Sequence, residues 1–157
     1  MKKYFVFCML CALMLGAVVL SGCKKNGKDE PSTLISDKEK PAWVAPSDFD
    51  MTSSMTAVIR VDLSLTYPKL IKDAARSIGE GDLLAAFAGD QCIGVTSPEE
   101  GLFYLFITTP TKDDAPISLH YYSSILKNFF VSDETFVFDN DQRLGSYSEP
   151  YTPHFHL

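Results

Sequence analysis

Residues 43–157 predict an all-β domain, a single antiparallel β-sandwich of about seven short strands with immunoglobulin-like or jelly-roll-like connections. Three observations carry that expectation. Apolar and polar residues alternate at a period of two, as they do along half-buried strands. The candidate strands are short and are separated by Gly, Pro, Asp and Ser. No segment recurs at the spacing of a solenoid.

The elements follow in order. Over residues 55–63, Met55, Ala57, Ile59, Val61 and Leu63 share one face, while Thr56, Arg60 and Asp62 share the other; Val58 is the exception. Residues 64–81 form a long connection, in which 68–77 has room for two helical turns between Pro68 and Gly79. Strands at 82–88 and 91–96 meet across Gly89-Asp90, a two-residue turn whose first position favours positive φ. Residues 102–109 are an apolar, β-favouring run bounded by Gly101 and Pro110. Residues 117–122 alternate again, with Ile117, Leu119 and Tyr121 on one face and Ser118, His120 and Tyr122 on the other. Residues 129–131 and 134–138 are further strands. After Asp139 the chain is turn-rich, with room for one short edge strand, and its last residues read as a disordered tail.

The N-terminus is of another kind. Lys2 and Lys3 precede an almost wholly apolar run that ends in Leu20-Ser21-Gly22-Cys23. A basic start, a greasy core and small residues at the cut make a secretory signal peptide over 1–22. The sequence at the cut is a lipobox, which predicts acylation (palmitate) of Cys23 and a cell-envelope location as an outer-membrane lipoprotein, periplasmic or surface-facing. Lys24, Lys25 and Lys28 precede Asp29 and Glu30, so the acidic run of a surface-export signal is only partly present. Residues 23–42 then read as the lipidated cysteine and a polar, disordered tether; a 19-residue coil (24–42) spans roughly 20–25 Å.

Charge and cysteine content narrow the functions. The whole chain carries a formal charge of −6. Loss of Lys2 and Lys3 with the leader leaves twelve basic against twenty acidic residues, or −8. Such a surface excludes phosphate-neutralising contacts with nucleic acid, so the membrane is reached through acyl chains and not through a basic patch. Of the four cysteines only Cys23 and Cys92 survive the cut, and lipid occupies the first. No intrachain disulfide is then available, and Cys92 reads as a small buried hydrophobe.

The stretch Asp82-Leu83-Leu84-Ala85-Ala86-Phe87-Ala88-Gly89-Asp90-Gln91-Cys92-Ile93-Gly94-Val95 resembles a motif, D-x-(I/L)-A-A-F-x-G-x-x-C-x-G-V, of small extracytoplasmic β-sandwich domains in lipoproteins and secreted proteins of the Bacteroidota. Trp43, Pro46, Asp48 and Phe49 with Ser54-Met55-Thr56, the strands at 102–109 and 117–121, and the segment from Glu134 to Gly145 fit its flanks. The resemblance covers roughly residues 43–150 and implies a fold and an envelope address, with no catalytic residues. The chain departs from it at Ile93, where the family often has Arg, and in the length of the 64–81 connection. Independently of the resemblance, Ala85 and Ala86 permit close approach of another layer, Phe87 fills core, and Gly89 and Gly94 serve turns or bulges.

Candidate chemistry is sparse. His154 and His156, two apart on a strand, share a face, but they lack further ligands and no metal site is expected. Asp139-Asn140-Asp141-Gln142 begins like a calcium loop, and Gln142-Arg143-Leu144 then breaks the pattern. Glu99, Glu100, Asp113 and Asp114 could contribute to a looser loop site, with nothing to gather them. His120 has no G-x-S-x-G partner, and no carboxylate pair marks a glycosidase. No catalytic residue and no cofactor is expected, and the chain does not read as an enzyme, a hydrolase being only a minor alternative. Tyr122, Tyr147 and Tyr151 fall at outward or loop positions and are the candidate ligand-binding residues. The expected function is a non-catalytic binding or adhesive accessory module for a glycan or protein. The alternative is a structural subunit that joins an envelope assembly through a sheet edge.

Overall fold

The computed structural model describes residues 34–47, 53–68, 78–111 and 114–157. The leader, Cys23, the motif positions Asp48 and Phe49, Asp113, and the helical stretch expected after Pro68 lie outside the described residues. Among these residues there are nine strands and no α-helix: β1 Ser54–Ile59, β2 Leu83–Ala88, β3 Gln91–Thr96, β4 Pro98–Glu99, β5 Leu102–Thr108, β6 Ile117–Ser123, β7 Asn128–Ser132, β8 Arg143–Leu144 and β9 Phe155–His156.

They form two sheets packed face to face, with strand orders β4-β5-β1-β8 and β3-β2-β6-β7-β9. The domain is the all-β sandwich that the alternation predicts. Neighbours pair antiparallel, except that the two-residue β8 runs parallel to β1. The count exceeds seven because β4, β8 and β9 are two-residue strands that sequence periodicity cannot register. The strand expected over 134–138 reduces to one bridge, in which Phe136 and Ile117 exchange both backbone hydrogen bonds.

The core follows from the alternation. Met55, Ala57 and Ile59 of β1 and Phe103, Leu105 and Ile107 of β5 face Leu84, Ala86, Leu119, Tyr121 and Phe130 of the other sheet, all buried. The β1 alternation outlasts the strand itself, since Val61 and Leu63 are buried too. Each such side chain contributes about 1.5–3 kcal/mol by leaving water. With Cys92 unpaired and half-buried, packing has to hold the domain together.

The β2–β3 hairpin turns at Gly89 (φ 60°) and Asp90, as expected. A register shift after Ala86 then inserts Ile93 as an extra residue on β3. That bulge turns both Ile93 and Gly94 inward. At Gly94 the two sheets nearly touch: an added Cβ would stand 2.4 Å from the carbonyl oxygen of Phe106 on β5. Thr108 Oγ1 closes the same corner by donating to Ile93 O at 3.1 Å.

Two expectations about the termini are corrected. The polar tether expected through residue 42 stops short, because Leu34 is wholly buried in the core. Ser36 N–H donates to Leu126 O and Lys38 N–H to Lys127 O, which fastens the strap 34–47 to the β6–β7 turn. Counting charges along 24–42 hid one apolar anchor. The tail is likewise ordered, since Phe155 fills the core and β9 pairs with β7. One buried ring outweighs the flanking histidines.

Candidate functional site

The two outer faces of the sandwich differ. On the five-stranded sheet the outward residues include Phe87 of β2, Ser118, His120 and Tyr122 of β6, and Phe129 and Val131 of β7, and the strap packs on Phe87, His120, Tyr122 and Phe129. Trp43 packs edge-on to Phe87, with ring centroids 5.8 Å apart, and is 5.8 Å from Phe129 and 6.3 Å from His120. Lys38 Nζ sits 5.4 Å from the Phe129 centroid, a cation over a ring face. Tyr122, expected to face a ligand, is buried here. Its hydroxyl donates to Lys38 O at 3.1 Å and its ring lies 5.2 Å from Phe129. The chain's own strap occupies this face.

His120 belongs to the same covered layer. Its Nε2 is 3.2 Å from Ser118 Oγ, and its ring is 4.4 Å from Phe87. Burial lowers its pKa, so it stays neutral further into the acid range. A serine and a histidine in contact are two parts of a hydrolase. Here the imidazole lies under Trp43, and among the described residues no carboxylate bonds its other nitrogen.

Among the described residues no strap crosses the outer face of the four-stranded sheet, and the register arranges that face. Thr56 is paired with Phe106 on one side and Arg143 on the other, and Val58 is paired with Tyr104. Successive outward residues thus form two rows across the sheet, with strands about 4.8 Å apart. The chain beyond β8 turns at Gly145 (φ 73°), where an added Cβ would stand 2.5 Å from Tyr151 N and 2.6 Å from Val58 O. That close passage brings Ser146 and Tyr147 over the rows. The result is a groove of about 570 Å³ lined by Thr56, Val58, Tyr104, Phe106, Arg143 and Tyr147. Tyr104 is 38% and Tyr147 66% exposed.

Of the three tyrosines singled out by sequence, only Tyr147 lines this groove. Tyr122 is on the opposite face. Tyr151 is half-buried against the core, bridges Ile59, and donates its backbone N–H to Val58 O. Sequence reasoning missed Tyr104, Phe106 and Arg143. The signal was present in β5, Leu-Phe-Tyr-Leu-Phe-Ile-Thr, which is apolar on both faces although a sheet of the sandwich buries only one.

The remaining candidates are structural. His154 Nδ1 lies 2.6 Å from Glu134 Oε1, and His156 Nδ1 lies 2.5 Å from Asp133 Oδ1 without hydrogen-bond alignment. Each histidine therefore faces its own carboxylate. Asn140 Oδ1 accepts the Ser54 N–H, which commits part of the acidic turn to the start of β1. Among the described residues no three His, Cys, Asp or Glu side chains gather closely enough to share a metal ion. Burial raises the pKa of Cys92, outweighing its bond to Gly94 O, so its thiol is less readily ionised than an exposed one.

The chain matches no protein-family model, no curated protein and no solved structure.

Proposed function

We propose that this chain is a lipid-anchored envelope protein whose β-sandwich is a non-catalytic binding module, and that its ligand, a glycan or a protein, lies in the groove of the four-stranded sheet. One observation carries the reading: Tyr104 and Tyr147 stand exposed over an open groove, while the corresponding face of the other sheet is sealed by the strap. Exposed tyrosines offer a rigid apolar face and a polar tip, the combination that recognition surfaces use. Attachment through an acylated Cys23, and the resemblance to Bacteroidota lipoprotein domains, supply the envelope address.

The sheet edges are poor candidates for assembly by comparison. β4, β8 and β9 are only two residues long, and β3 abuts β5 at the Gly94 corner. Edges two residues long offer few unpaired backbone groups to another strand, and the six-residue β3 is occupied by β5 around Ile93 and Gly94.

The test is binding of the full chain, in non-ionic detergent, to glycan and peptide arrays. Tyr104→Ala and Tyr147→Ala should each weaken the signal about tenfold, the scale of a lost aromatic anchor. Tyr122→Phe, on the far face, should leave it unchanged. Equal loss in all three variants, or in none, overturns the groove as the site. Mass spectrometry of the membrane-extracted protein checks the anchor, with an acylated N-terminal cysteine expected.

A further inference from the structure

We infer that the groove takes a sugar carrying a single carboxylate, with Arg143 as the fork that binds the charge and Tyr104 and Tyr147 as the faces on which the ring stacks. This rests on the groove being the binding site.

Arg143 is the first support. In a chain of net charge −6 a solvent-facing arginine has many possible partners, yet it pairs with no described carboxylate. The register places it beside Thr56 at one end of a row whose other end is Phe106. A planar guanidinium with free N–H groups binds a carboxylate through two parallel hydrogen bonds.

Beyond Tyr104 the neighbouring strand β4 carries Glu99, paired with Leu102, and Glu100 follows in its turn, so the β4 side next to the groove has the opposite sign. Desolvation, then the neighbouring Glu100, Tyr147 and Glu99, raise the Tyr104 phenol, which keeps it a neutral donor. An anion is favoured beside Arg143 and repelled beside those glutamates, whereas neutral hydroxyls can donate to them. One charge at one end of an otherwise neutral, hydroxyl-rich ligand matches this polarity. A polyanion does not.

Shape favours a sugar over a peptide. The groove lies on a sheet face, where the N–H and C=O groups of β1 and β5 are already spent on each other. An extended peptide recognised through its backbone would find no partners there. A sugar ring needs none, since its C–H face packs on an aromatic face and its hydroxyls reach the rim.

The experiment measures binding of the full chain to sialyllactose, to a glucuronic-acid-bearing xylo-oligosaccharide, to their methyl esters, and to lactose. At least one acid should bind tenfold or more above its ester, and the pair of acids shows which sugar supplies the carboxylate. Arg143→Gln should reduce acid binding about tenfold to a hundredfold, to the level of the ester, with Arg143→Lys recovering it only in part. Tyr104→Ala should weaken acid and ester alike. Equal binding of acid and ester overturns the carboxylate inference and, if still dependent on Tyr104, leaves the groove reading intact. An acid preference that survives Arg143→Gln overturns the inference, and acid binding that Tyr104→Ala also leaves at full strength overturns the groove reading with it. Failure of every sugar overturns the inference, and a peptide ligand sensitive to Tyr104 then keeps the groove.

Discussion

Tyr121 Oη donates to Asp82 Oδ2 at 2.5 Å inside the sandwich, joining the start of β2 to the middle of β6. Asp82 is fully buried, and its carboxylate also accepts from Gly79 N, Ser124 N and Ser124 Oγ. Four donors replace the water that a buried carboxylate loses. Burial, and then the nearby Asp82 charge, push the Tyr121 pKa far up, so the phenol keeps its proton. The motif residue Asp82 is therefore a clamp on the β6–β7 turn. Tyr121→Phe should cost about 1.5–3 kcal/mol, the worth of a hydrogen bond to a charged group. Urea unfolding measures it, and an unchanged midpoint would rule the clamp out.

Gly94 and Gly89 separate two uses of glycine in one hairpin. At Gly94 a methyl group would strike the Phe106 carbonyl, and backbone cannot step aside cheaply. Gly94→Ala should cost about 1–3 kcal/mol or more through overpacking. Gly89 has open space around it and only its positive φ to defend, so Gly89→Ala should cost about 1–2 kcal/mol. Greater loss at Gly89 than at Gly94 would contradict the close sheet corner.

Leu34 decides whether the strap is part of the domain. Leu34→Ala should cost about 2–5 kcal/mol, as for other buried leucines, while Ile35→Ala, at an exposed neighbour, should stay within about 0.5 kcal/mol. Trp43 is the only tryptophan, so fluorescence reports the strap directly. Its emission should shift to the red in Leu34→Ala before global unfolding. A free tether requires both substitutions to be silent.

The C-terminus should be held best in mild acid. The side-chain hydrogen bond to Glu134 raises the His154 pKa above its ordinary 6.5. For Glu134, burial acts upward, but bonds from the His154 ring and backbone N–H outweigh it and the pKa falls below 4.5. The raised base contributes fully below 6.5, and that contribution fades as pH rises through its folded-state value. The lowered acid contributes fully above 4.5 and fades as pH falls through its own. Both act together between 4.5 and 6.5. The Asp133 amide, which donates to His154 O, should show greater hydrogen-exchange protection at about pH 5.5 than at about pH 8, after correction for intrinsic rates. His154→Gln should abolish the difference; its persistence would assign it elsewhere.

Much of this architecture was legible because burial in a sheet is local. The alternation of Met55, Ala57 and Ile59 and the Ile117, Leu119 and Tyr121 face each require only that one side of a strand leave water, and the Gly89-Asp90 turn requires only a residue that takes positive φ. The lipobox likewise states its own expectation residue by residue. Non-local facts were not legible. That Leu34 enters the core, that Phe155 pins the tail, and that Tyr122 lies under Lys38 depend on segments distant in sequence meeting in space. The groove depends on them most, since Tyr104, Arg143 and Tyr147 become neighbours only through the register of β1 with β5 and β8. Sequence therefore determined which side of each strand is dry, and the tertiary structure decided which outer face the chain covers with itself and which it leaves to solvent, because covering a face needs a segment distant in sequence to meet it.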